Sequence, residues 1–413
     1  MAAHRMAAVD AQFYWMSAKM PNDQFLLYAF DGEPADCSRA IQQVYRRARA
    51  CPELTMRVLD GSRLTYPQWV PTAVVPEQVV RHDLTDHSWH GCLAGVVDLG
   101  NDQLDVRRMP WRLHVFTPVL GIPGVTGPGT VAVMQVAHAL ADGARASAMA
   151  AWLFGRADPV PEVQRLPAGF LPWRAAEAAR THRQLLRDTR AGLLAPGAGS
   201  RPLLPTNARP DGARAVRTLV RHRSQLSGPT VTVGVLGAVS TALSDLLGDA
   251  AVSLGAEVPM AKPGVPRAHN HFANVVVGLY PKLGLGVRTE RIAADLANGR
   301  RRLDHPATRA SDRAFAALPA PLLRWGAAHF DPGARPAQVA GNTVVSSVYR
   351  GAADLSFGDA RVVLTAGYPE LSPVMGLTHG VHGIGDTIAI SVHATESAVP
   401  DIDGYLRLLD AAL

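Results

Sequence analysis

A histidine followed four residues later by Asp-Gly, in His138-Ala139-Leu140-Ala141-Asp142-Gly143, is the arrangement in this chain best suited to chemistry. An imidazole buried at the end of an apolar strand can serve as a general base near neutral pH, and the nucleophile would then come from a substrate. The pattern H-x-x-x-D-G arises by chance about 0.1 times in a chain of this length and composition, so the flanking sequence has to support it. Thr130 to Ala137 reads as a buried strand, and Gly143 to Phe154 reads as a helix with Ala146, Met149, Ala150 and Leu153 on one face. The motif thus falls on a strand-to-helix turn, with Asp142 at the position of a helix N-cap and Gly143 permitting close backbone approach. The plainer alternative is that Asp142 only caps the helix and His138 is a hydrogen-bonded core histidine.

Competing chemistries find little support. The chain contains no G-x-S-x-G, no G-x-x-x-x-G-K-[ST] and no H-E-x-x-H, the signatures of a nucleophile elbow, a phosphate loop and a zinc helix. Gly127 to Ala132 matches G-x-G-x-x-A but precedes a strand instead of opening a helix, which argues against a dinucleotide site. His379-Gly380-Val381-His382 and His269-Asn270-His271 fall in predicted turns without a carboxylate at helical spacing, so no metal site is predicted.

Composition sets the class. Apolar residues make up 47% and charged residues 18% of 413 positions, as in an ordinary folded enzyme, and the length allows two or three domains. A net charge of +6 and an isoelectric point near 9.5 favour anionic partners, which include acyl-CoA phosphates, acidic lipid headgroups and nucleic acid. No zinc-finger spacing, basic tail or aromatic-basic interleaving selects nucleic acid. The three cysteines, Cys37, Cys51 and Cys92, lack C-x-x-C spacing and fit a reducing cytoplasm. Residues 1 to 15 show no apolar signal core and no run reaches the ~18 apolar residues of a span, so any membrane contact is expected to be peripheral.

Two halves and a connector are expected. Residues 1–155 mix strands and helices, including one capped by Asp36 with Ile41, Val44, Tyr45 and Ala48 along its apolar stripe. Residues 156–212 are rich in Pro at both ends and carry one helix from about 174 to 194. Its Arg180, Arg183, Arg187 and Arg190 share a face, read either as a solvated crossover helix or as a patch for a membrane surface or CoA phosphates. Residues 213–413 repeat the alternation, with strands at 215–221, 274–280, 343–349, 361–366 and 387–393 and a helix from Val231.

Several segments together resemble the wax ester synthase/diacylglycerol acyltransferase family, part of the superfamily of chloramphenicol acetyltransferase and the peptide-synthetase condensation domains. Val9-Asp10-Ala11-Gln12-Phe13 is similar to the family's opening L-D-A-x-F, Arg107 to Val115 to its R-P-L-W segment, and Val399 to Asp403 to the V-P-D-x-D opening its last helix. Departures accompany the matches. Ala137 replaces the first His of the family's H-H-x-x-x-D-G, and Ser346-Ser347-Val348-Tyr349-Arg350 stands in place of its S-N-V-P-G turn. Val233-Gly234 stand where the family often has Asn-Asp.

The resemblance implies an α/β (α+β) fold of two chloramphenicol acetyltransferase-like halves, with mixed sheets and an interface tunnel. It implies acyl transfer from acyl-CoA as co-substrate, with no bound cofactor, to a hydroxyl or amine acceptor. His138 would be the catalytic base and Asp142 a structural member of the motif paired with an Arg, with Gly143, Ser347, His379 and His382 near the substrates. Three functions stay open: a lipid-ester O-acyltransferase of triacylglycerol or wax ester type, working in the cytoplasm at a membrane or lipid-droplet surface; the same fold acting on a specialised natural-product alcohol or amine, or with a carrier-protein donor; and a non-catalytic lipid-binding homologue.

Overall fold

The computed structural model describes residues 3–165, 167 and 169–413; the first two residues of the 1–155 half and residues 166 and 168 of the connector lie outside the described residues. Two six-stranded mixed sheets organise them. The first runs in the order Ser356–Phe357, Ala360–Gly367, Gln24–Asp31, Pro128–Val136, Trp111–Leu120, Val79–His82, antiparallel except for its last pair. The strand Gln24–Asp31 is an unbroken apolar run because both its faces are covered. Leu26, Tyr28 and Phe30 pack with Met134 and Val136 on one face, against the helices Cys37–Ala50 and Gly143–Leu153. Phe25, Leu27 and Ala29 face the other way, with Val131 and Val133, toward the helix Trp89–Leu99.

The second sheet runs in the order Phe272–Gly278, Gly255–Ala261, Thr343–Tyr349, Leu377–Ile384, Thr387–Thr395, Arg214–His222. Thr343–Tyr349 is parallel to both its neighbours, and the remaining pairs are antiparallel. The helices Val231–Leu247, Leu285–Asp304 and Ile402–Ala412 cover one face. Val231–Ala250 is long and apolar enough by composition to cross a membrane, with a mean hydropathy of 1.5, although the sequence suggested no such run. Here it is a core helix, with Val235, Leu236, Val239, Ala242 and Leu243 fully enclosed.

Three expectations need correction. The division at 155 and 213 is not how the sheets divide, since residues 356–367 complete the first sheet. His379 to His382 lie within the strand Leu377–Ile384, because alternation with glycine disguises an extended run. The strand before the motif ends at Val136, so Ala137 opens the turn instead of closing the strand: Leu140 N–H donates to the Ala137 carbonyl, and Ala137 is buried in the first core.

The two sheets meet where Ala360–Gly367 packs on Leu377–Ile384. Glycine is required there, because a Cβ on Gly380 would collide with the Gly367 carbonyl oxygen. Arg350, 6% exposed, reaches from the end of Thr343–Tyr349 into the first sheet. Its Nη1 donates to the Leu27 carbonyl (3.4 Å) and to Thr365 Oγ1, and its guanidinium lies 5.0 Å from the Tyr28 ring centroid. Gly380→Ala is expected to destabilise the protein by about 3 kcal/mol through this backbone collision, read as a lower melting temperature with unchanged secondary structure.

Candidate active site

Helix Ala8–Met16 supplies two groups to the motif from a single face, three residues apart. Phe13 stacks on the His138 imidazole, ring centroids 3.9 Å apart and planes 10° apart. Asp10, fully buried, accepts from the backbone N–H groups of His269 and Asn270 and from Asn270 Nδ2, each at 3.0 Å. Asn270 Nδ2 also donates to the His138 carbonyl at 2.7 Å, and Phe272 lies beside the imidazole at 5.8 Å. A loop of the second half is thereby fastened around the histidine.

Burial lowers the His138 pKa below the usual 6.5, opposed by its own carbonyl, Asn270 and the charge of Asp142, so the ring is neutral at pH 7. Its Nδ1 is enclosed without a hydrogen-bonding partner. Such an imidazole is a proton acceptor held in one orientation by its neighbours.

Asp142 caps the helix Gly143–Leu153, with Oδ1 accepting from Arg145 N–H at 2.9 Å. Its Oδ2 accepts from His271 N–H at 2.9 Å, and its own N–H donates to the His269 carbonyl at 3.3 Å. The ion-pair partner of Arg145 is Glu53 at 3.4 Å, so the arginine pairing expected for Asp142 gives way to two backbone donors. Burial pushes the Asp10 carboxyl up to about 7 against its three N–H donors.

The other sequence-predicted residues separate by strand face. A Cβ on Gly143 would lie 3.8 Å from Val348 Cγ2, and Val348 pairs with His382 in the parallel ladder, so Gly143, Val348 and His382 share one side of the second sheet. His382 is buried beside Arg350 with Nδ1 unpartnered, and burial followed by that guanidinium holds its pKa well below the usual range. Ser347 faces the opposite side, where its hydroxyl is 2.8 Å from Thr232 Oγ1. His379 also faces that side. Its Nδ1 meets Thr343 Oγ1 and its Nε2 meets Tyr405 OH, both at 2.8 Å, and burial pushes its pKa down to about 3.

Asp10, Phe13 and Asn270 were missed as site residues, although the V-D-A-Q-F segment and the cluster at 269–271 had both been noted in the sequence. Gln24 was missed as well; its Nε2 donates to the Ala141 carbonyl within the turn. Among the described residues no group of three or more His, Cys, Asp or Glu side chains is placed to hold a metal. Two surface cavities of about 350 and 410 Å³ lie against the helix Cys37–Ala50, lined by Ile41, Tyr45 and Arg49 and by Arg46, Arg47 and Trp152. Neither opens on His138, where Phe13 covers one face of the ring.

The paired mixed sheets form a two-lobed fold of the kind seen in solved acyltransferase and condensation-domain structures. Among solved structures, the chain is similar to the wax ester synthase/diacylglycerol acyltransferase of Marinobacter aquaeolei VT8, at 17% identity and a TM-score of 0.63, covering 99% of this chain and 98% of that one. It is also similar to the starter condensation domain of rhizomide synthetase solved with C8-CoA, at 15% identity and a TM-score of 0.59, covering 100% and 95%. The condensation domain of the Monacolin K polyketide synthase MokA aligns at 13% identity and a TM-score of 0.55, covering 100% and 96%. No family model matches the chain. No curated protein matches it either.

Asp10→Ala is expected to destabilise the protein by at least about 2 kcal/mol, since it leaves buried N–H donors at 269 and 270 unpaired. Chemical denaturation would show the loss as a lower midpoint at constant slope.

Proposed function

We propose that this protein is an acyl-CoA-dependent O-acyltransferase that forms a lipid ester of the triacylglycerol or wax ester type. The observation that carries this reading is the neutral, oriented His138 held at the junction of the halves by groups from both. In the reaction, an acceptor hydroxyl attacks the thioester carbonyl while His138 takes its proton. The tetrahedral adduct then expels the CoA thiolate, which recovers the proton, giving ester and free coenzyme A without an acyl-enzyme. The hydroxyl is far less acidic than an imidazolium, so proton removal accompanies attack rather than preceding it. Asp142 and Asp10 act through the backbone, fixing the turn and the loop at 269–271.

A specialised natural-product alcohol or amine as acceptor is the second reading, and Arg350 favours it. This buried cation beside His382 stands where the resemblance leads one to expect a glycine, two residues beyond Val348 on the face turned to Gly143. The deciding experiment incubates the protein with labelled long- and short-chain acyl-CoAs and with diacylglycerol, fatty alcohols and amines. Ester formation from a neutral lipid alcohol supports the first reading, amide or polar-ester formation the second, and no transfer from any donor refutes both.

His138→Ala is expected to lower turnover by about 10²- to 10⁴-fold with little change in melting temperature. Because the His138 pKa is depressed, the rate-competent neutral form of the free enzyme persists as pH falls, so the acid limb of kcat/KM should lie below pH 6.5. A limb above that value would assign the base to another group.

A further inference from the structure

The crossover helix Leu171–Arg190 has no buried residue over 20 positions, yet its charges are sorted. Its two carboxylates belong to the half-buried stripe that packs on the helix Pro306–Ala316. Glu177 is paired there with Arg313 and with Arg174 of its own helix, while Asp188 lies 3.2 Å from His305 Nε2. The opposite face exposes Arg180, Arg183, Arg187 and Arg190 and no carboxylate.

Trp173 stands on the same exposed face as the arginines. It precedes Arg180 and Arg187 by seven and fourteen residues, two and four helical turns, and so projects in nearly their direction. The stripe from Trp173 to Arg190 is about 25 Å long. Trp173 is 75% exposed, and exposed Phe170 and Leu193 flank the helix at its two ends. A solvated crossover would account for arginines, but not for a large indole left in water in line with them. Tryptophan favours the boundary between water and acyl chains, and arginines above it meet phosphate headgroups.

We infer that this face of the crossover helix docks on an anionic lipid surface, with Trp173 entering the interface and the four arginines engaging headgroup phosphates. This contact sits on the connector, away from the His138 turn, and its test uses no acyl substrate, so its failure and that of the acyltransferase reading are separable.

The test sediments the full-length protein with vesicles of phosphatidylcholine alone and of phosphatidylcholine and phosphatidylglycerol at about 2:1. Binding to the anionic vesicles at low salt is expected to exceed binding to the neutral ones by about tenfold or more, and to be largely released near 0.5 M NaCl. Replacing the four arginines together (R180Q, R183Q, R187Q, R190Q) should remove that preference. Trp173→Ala should weaken binding several-fold while the salt dependence persists. Thermal melts check that both variants are folded. Equal binding to both vesicle types, no vesicle binding, or full binding by the folded quadruple variant would overturn the inference. So would arginine-dependent binding of a duplex oligonucleotide in preference to anionic vesicles at the same salt.

Discussion

Two buried carboxylates from the first half accept backbone N–H groups from one short loop of the second, and the rest of the site depends on this. Asp10 holds 269 and 270, Asp142 holds 271, and each does so through main-chain N–H groups, to which Asn270 Nδ2 adds one side-chain donor at Asp10. A carboxylate is suited to the task because it only accepts, through two oxygens that can serve several donors. Once the loop is seated, the Asn270 carboxamide reaches the His138 carbonyl and Phe272 comes beside the ring. The geometry of the base is therefore a property of the interface between the halves, and neither half contains it alone.

The same interface concentrates charge that has little access to water. Arg145 is buried close to Asp10, Asp142 and Glu53, whose charges offset part of the desolvation of its guanidinium, and its own charge offsets part of the desolvation of Asp10. Of these acids, Glu53 makes the direct ion pair, while the other two spend their oxygens on N–H groups. Buried pairs of this kind add less to stability than their Coulomb energy suggests, but they penalise any arrangement that leaves one member unpaired. The cluster thus specifies how the first helix, the segment at Glu53 and the motif turn, all within the first half, align with one another.

Much of the first half was legible from sequence because its signals are local. The apolar runs at 24–31 and 128–136, the cap at Asp36 and the strand-to-helix turn at 138–143 each follow from short windows. The helices Leu285–Asp304, Pro306–Ala316 and Ala320–His329 were not anticipated, being rich in Arg and Ala and burying few large apolar side chains. The strand Leu377–Ile384 was hidden by glycines and histidines that make sense only when the first sheet is seen packed against it. For the site, His138 and Asp142 stand in one hexapeptide, whereas Asp10, Phe13 and Asn270 join them across more than a hundred residues. Strand parity separated His382 from His379, and parity could be assigned only after the strand itself was recognised.

The strand Ala360–Gly367 pairs with Gln24–Asp31, more than three hundred residues earlier in the chain. During synthesis the first sheet therefore waits, with one flank of Gln24–Asp31 unpaired, until more than three hundred further residues have left the ribosome. An open edge on a strand this apolar invites pairing with other nascent chains, which makes the interval before residue 367 emerges the time of greatest aggregation risk. By the same logic a fragment ending in the connector would carry the H-x-x-x-D-G turn yet remain an incomplete sheet, and would behave as a sticky intermediate instead of a domain.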